Sequence, residues 1–498
     1  MPSASLKPLA ADEFDYWKAS HLLARAGFGG TPGQARALAN MGLDDAVDYI
    51  VDFQSVDAPI VRPDQFDQDI MRPPTEAEQR QIRDARQSGD EAAVERFRRD
   101  RQRRQQADRQ QMADFQRWWL TRMIETPRPL EEKLTLFWHG HFATSYRAIE
   151  DSYHMFVQNQ MFRANAAGNF RMLVRGIVHD PAMLRYLNNN QNRRGSPNEN
   201  LARELMELFT LGEGHGYTED DIKEGARALT GYTYDDNSFV FRARMHDPGV
   251  KTILGEAGRW DGDDFVEIIL GQRFASEFIC LKLYRFFVND LPEEPDKNTR
   301  AFVTKLAKKL RSDKYELRPM LRSLFRSQHF YDQANMAAQI KSPIQLIVQA
   351  IRTMRTPVRS LNTLIAASAL MGQRLGFPPS VKGWDGGRSW INTSTLFVRQ
   401  NIVLYLLTGR RPNAYAWQSD GSSFDARPML ADLAATGEPV AARNAVTYLL
   451  RCMLGQEPHQ ERIEAVMAYV NRAGGELDDE TLTGVLSLIT AMPEYQLC

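Results

Sequence analysis

Residues 198–212 read Asn198-Glu199-Asn200-Leu201-Ala202-Arg203-Glu204-Leu205-Met206-Glu207-Leu208-Phe209-Thr210-Leu211-Gly212. At about 100° per residue, Leu201, Leu205, Leu208, Phe209 and Leu211 fall on one broad face, and Glu199, Arg203 and Glu207 form a polar row. The spacing predicts an amphipathic helix over Glu199–Leu211. Glu204 lies between Leu208 and Leu211 at the edge of the apolar face. A carboxylate there is costly unless it is paired with a cation or ligates a metal. A structural ion pair and a ligand or acid/base role both remain open.

The same helical period runs outward through most of the chain, and β-branched alternating runs are scarce. Helices are expected at 14–28, after a Thr31-Pro32 cap, and from Asp44. Pro59, Pro63, Pro73 and Pro74 then punctuate a loop. Residues 75–125, rich in Arg, Gln, Glu and Ala, predict one long charged helix or a helical hairpin broken at Ser88-Gly89. Further helices are expected at Glu131–Thr144, Glu150–Ala166, Phe170–His179 and through 263–356. A small β-hairpin excursion is expected within 234–262. Gly421, Pro428, Gly437 and Pro439 loosen the chain before two final helices. The expected fold is mostly α: a multi-helix domain over 1–410, carrying the arginine-rich insertion, with a C-terminal helical segment over 411–498 packed on it.

Composition narrows the class. Of 498 residues, 62 are Lys or Arg and 63 are Asp or Glu, so no global field draws the protein to nucleic acid or an anionic membrane. Arg96 to Arg109 is basic but lacks interleaved aromatics, and it reads as a solvated or internally paired helix face. Cys280, Cys452 and Cys498 form no Cys-x-x-Cys pair, which fits a reducing compartment. No leader pattern and no long uncharged apolar segment is seen, so a cytoplasmic location is expected, or a periplasmic one if a leader has been removed.

Phe137-Trp138-His139-Gly140-His141-Phe142 places two imidazoles among large aromatics. On a helix they point about 200° apart, so both serve one site only if Gly140 ends the helix or the segment is extended. His215 lies in the glycine loop 212–216, just before a Thr218–Asp221 capping box. His246 opens an Asp247-Pro248-Gly249 turn, and Trp384 rides the glycine-rich loop 383–387. P-loop, Gly-x-Ser-x-Gly and His-Glu-x-x-His motifs are lacking.

Taken together, His21-Leu22-Leu23-Ala24-Arg25-Ala26-Gly27-Phe28-Gly29, the 137–142 and 199–208 motifs, Tyr217–Asp221, Ala228–Tyr232, His246-Asp247, Gly383-Trp384 and Arg399 resemble a bacterial family known as domain of unknown function eighteen hundred, over about residues 14–405. The resemblance implies no activity. It does imply a frequent gene neighbour from a sulfatase-like exported family, a candidate partner, and export leaders in many members.

The residues themselves point to a site at the centre of the helical domain. His139, His141, Glu204 and Glu207 are the expected ligands of a divalent metal such as iron, manganese or zinc, with His246 and Arg203 as further catalytic groups and Trp138, His215 and Trp384 lining the cofactor. The chemistry would be oxidative or hydrolytic. Non-covalent haem is a lesser possibility. The other class of reading is a non-enzymatic scaffold in which these polar residues form a buried ion-pair network.

Overall fold

Local capping chemistry sets many of the helix boundaries. Capping boxes Thr31/Gln34, Thr75/Glu78 and Thr218/Asp221 open the helices Pro32–Met41, Glu76–Ser88 and Glu219–Ala228. Gly89, in the left-handed region, ends Glu76–Ser88 and turns the chain into the long helix Glu91–Glu125, which packs against it as a hairpin. The structure, a computed structural model, describes residues 4–58, 66–289, 294–434 and 440–498. Pro59, Pro63, Gly437 and Pro439 lie outside those residues.

The described residues are mostly helical, with two separate two-stranded antiparallel sheets. One hairpin pairs Tyr232–Asp235 with Ser238–Phe241, and a second pairs Lys251–Ile253 with Glu256–Gly258. The expected single excursion is thus two hairpins. The C-terminal region holds three long helices rather than two, Ala442–Leu454, Gln460–Arg472 and Asp479–Thr490. Among the described residues, no helix is long and apolar enough to cross a membrane.

Two apolar cores form. One joins the N-terminal helices to the helices between Phe170 and Arg326. The other joins the second half of Glu91–Glu125 to Pro343–Met354, Thr393–Thr408 and the three C-terminal helices. Each wholly buried Leu or Phe in them contributes about 1.5–3 kcal/mol. The helix Pro129–His141 is the seam between the cores: Leu130, Leu134, Phe137 and Trp138 enter the first, Leu136 the second. Its polar groups are therefore buried on every side. Glu132 accepts hydrogen bonds from Arg122 Nε (2.8 Å), Arg163 Nε and Nη2 (2.8 and 2.9 Å) and Trp119 Nε1 (3.1 Å).

The arginine run is solvated on its outer face, but Asp108 within it is buried. It accepts from Tyr146 Oη (2.7 Å), Ser152 N (2.7 Å) and Ser152 Oγ (2.6 Å), which fixes the long helix to the body.

Candidate functional site

The Pro129–His141 helix continues through Gly140, so His139 and His141 leave it on different sides. His139 Nε2 accepts the Gly376 N–H at 3.1 Å, and its ring lies 5.3 Å from Trp119 and 5.6 Å from Trp384. His141 Nε2 donates to the Phe209 carbonyl at 2.9 Å while the ring stacks on Phe137. Burial pushes His139 down to about 4 and His141 to about 3, so both are neutral near pH 7.

The two Nε2 atoms do not meet: each has a main-chain partner, on opposite sides of the helix. Among the described residues, no three His, Cys, Asp or Glu side chains are grouped to hold a metal ion. Trp138 is not a site wall either: it is sealed in the core, donating from Nε1 to the Ala166 carbonyl at 2.8 Å. His246 shares its Nδ1 with the Thr230 carbonyl (2.9 Å) in the 230–247 turn region and does not join the other histidines. The scaffold reading is relocated as well, since the buried ion-pair network is built on Glu132, Arg122 and Arg163.

What does assemble is a cluster of part-buried carboxylates around Glu204 and Glu207. Asn200–Glu204 is α-helical, and Leu205–Thr210 widens into a π-helix, a departure from the regular helix expected there. The wider turn leaves carbonyls free at its end, and His141 occupies that of Phe209. Glu207 is held by Arg203 (3.3 Å), which also pairs with Glu199 and, through both Nη atoms, with Glu219. Glu204 is half-buried, and among the described residues no hydrogen bond or ion pair reaches its carboxylate. Burial first, and then the charge of Glu207, pushes its pKa above the ordinary range, against the pull of Arg203 and Lys382.

Two glycine-rich loops lie beside these carboxylates. Lys382 pairs with Glu213 at 2.6 Å, clasping the 212–216 loop to the 383–387 loop, and its charge acts on both Glu204 and Glu207. Gly383 sits at φ +81, and a Cβ there would fall on the Gly140 carbonyl oxygen, so the loop lies directly against the seam helix. Trp384 then covers Gly140, its Nε1 buried without a partner. Near Lys382 and Glu213, Lys282 lies 5.3 Å over Phe278, and burial, with Arg285 and Lys382 adding, lowers its pKa. His215 is exposed beside Phe274. Of the expected residues, Glu204, Glu207, Arg203, His215 and Trp384 belong to this region.

A family model described as protein of unknown function (DUF1800) matches residues 21–497. The chain belongs to this family. No curated protein and no solved structure matches it. The DUF1800 match extends past Arg399, where the sequence resemblance thins, and takes in the C-terminal helices.

Within the DUF1800 fold, sequence reasoning missed Lys282, Lys382 and Glu213. Lys382 directly precedes Gly383-Trp384 and Glu213 sits inside the 212–216 glycine loop, so their positions beside two motifs were the available signal. Lys282 interrupts an apolar run, Ile279-Cys280-Leu281-Lys282-Leu283-Tyr284. A separate open surface cavity of about 580 Å³ lies between Arg171, Glu267, Arg311 and Tyr315, where Arg171 pairs with Glu267, and it includes none of the residues around Glu204 and Glu207.

Proposed function

We propose that the protein is an enzyme of the hydrolytic class that acts on a small polar substrate by acid–base catalysis at the Glu204 cluster. One observation carries the reading: Glu204, half-buried at the start of a π-helical segment, has no bonded partner and a like-charged neighbour in Glu207. A carboxyl so placed keeps its proton closer to neutral pH than an ordinary glutamate, as a general acid must. Glu207, oriented by Arg203, is the complementary carboxylate, and Lys282 is a nearby cation or amine. Glu204 and Glu207 are both part-exposed, so water is the available nucleophile. No metal enters this reading.

Titration of side-chain carboxyl carbons by NMR tests the first half. One glutamate signal should have its midpoint above the usual value of about 4.3 and be missing from Glu204→Gln. A panel of chromogenic esters, glycosides and phosphomonoesters tests the second. Glu204→Gln should lose roughly 10²–10⁴-fold of whichever activity the native protein shows. An ordinary midpoint for Glu204, together with equal turnover by native protein, Glu204→Gln and Glu207→Gln, would sink the proposal.

A further inference from the structure

The surface cavity of about 580 Å³ is of the size that small-molecule sites have. Leu270 and Tyr315, both buried, form its floor. Its walls carry three cations, Arg171, Arg311 and Lys314, against a single carboxylate, Glu267. That carboxylate is already shared, paired with Arg171 and with Arg175 at 3.5 Å. Among the described residues, no carboxylate pairs with Arg311 or Lys314. The neighbouring Asp313 is taken by Lys309 at 3.1 Å, and Glu316 Oε1 accepts from Asn169 Nδ2 at 2.9 Å. Arg311 is anchored through Nη1 alone, which donates to Ser276 Oγ (2.5 Å) and the Arg273 carbonyl (3.4 Å). Arg171 lies 5.7 Å over the ring of Tyr315.

The wall that carries Lys314 is held in an unfavourable shape. Lys314 and Tyr315 are consecutive residues in the left-handed region, at φ +51 and +68, which is costly for any residue with a side chain. Four hydrogen bonds pin the turn. Tyr315 N donates to the Leu310 carbonyl (2.8 Å), Phe170 N to the Tyr315 carbonyl (2.9 Å), Asn169 Nδ2 to the Lys314 carbonyl (2.9 Å) and Tyr315 Oη to the Leu270 carbonyl (2.7 Å). Strain pinned in this way is a feature of ligand clamps. The same bonds bring the start of the helix Phe170–His179, its positive dipole end, to the cavity edge at Asn169.

We propose that this cavity binds a small molecule through a phosphate monoester group, with Arg311 and Lys314 on the phosphate and Leu270 and Tyr315 beneath the organic part. The excess of cations suits a group that carries a charge of about −2 at neutral pH. The free edge of the Arg311 guanidinium matches its oxygens. The volume leaves room for more than a phosphate ion. This site shares no residue with the Glu204 cluster, so the two readings stand or fall separately.

The test is calorimetric titration of the full chain at about pH 7.5, where phenyl phosphate is a dianion and phenyl sulfate a monoanion of the same shape. Inorganic phosphate and, at matched ionic strength, sodium chloride complete the set. Phenyl phosphate should bind saturably at one site per chain, about tenfold more tightly than phenyl sulfate or inorganic phosphate. Lys314→Gly removes the ammonium and suits the left-handed backbone. It should melt close to the native chain and bind phenyl phosphate about tenfold more weakly. Glu267→Gln removes the opposing carboxylate and should bind about threefold more tightly. The proposal is overturned if phenyl phosphate does not bind, or if phenyl sulfate, inorganic phosphate or chloride matches it. It is overturned equally if either variant fails to shift the affinity in its stated direction.

Discussion

Glu132 and Glu204 are glutamates on largely apolar helices, and the fold treats them in opposite ways. Glu132 is completely buried; burial alone would raise its pKa, but Arg163 and Arg122 outweigh it and hold the carboxylate below the ordinary range. Glu204 is only half-buried, and with Glu207 beside it and no bonded cation its pKa goes up. Depth of burial therefore does not separate a structural carboxylate from a chemical one. The difference lies in the partners each is given.

The contrast is broken most severely at Glu132. Glu132→Gln takes the counter-charge from the buried Arg163 and leaves the half-buried Arg122 only Glu131 at 3.8 Å, and it should cost about 3–5 kcal/mol, read by urea unfolding. Gly383→Ala comes next. It places a Cβ on the Gly140 carbonyl and strains a left-handed backbone by about 1–2 kcal/mol, so it should lower the melting temperature and alter the fluorescence of Trp384.

The buried imidazoles between the two glutamates predict acid sensitivity. Their folded pKa values, about 4 for His139 and about 3 for His141, lie below the ordinary 6.5, so the unfolded chain binds more protons in between. Stability from these residues is complete above pH 6.5 and falls as pH drops toward 4 and 3. His141→Gln, which keeps a donor for Phe209, should flatten that slope in melting curves taken from pH 7 to 4.

The smallest effect belongs to Glu204→Gln. A raised carboxyl pKa contributes stability below the unfolded value of about 4.3 and loses it as pH rises through the folded value. At pH 7 the variant should therefore be as stable as the native protein or slightly more so, by less than about 1 kcal/mol. A loss as large as that of Glu132→Gln would show that Glu204 is structural and erase the comparison.

Much of the helical frame was legible because its signals are local. The Thr31 and Thr218 caps, the break at Gly89 and the helix Phe170–His179 depend on residues close together along the chain. The site was legible only in outline. Glu204 stood out by its place on the helix face, but the π-helical turn that presents it involves a carbonyl tied to His141, 68 positions away. Aromatic flanks mark a buried helix as readily as a site, and both imidazoles lie buried on the helix between the two cores. Asp108 was hidden in a run of arginines, and its partners at 146 and 152 lie on later helices.

Sequence by itself determined the mostly helical class, the family and the places where helices start and stop, since caps, glycine breaks and apolar periodicity act over a few residues. Tertiary structure decided which charges are answered. It gave Glu132 two arginines, left Glu204 with none, and gathered Arg25, Lys133, Lys341 and Arg399 around Cys498. The physical reason is that a charge is stabilised or left reactive by groups a few ångströms away in space, and helix packing brings those groups from hundreds of positions along the chain.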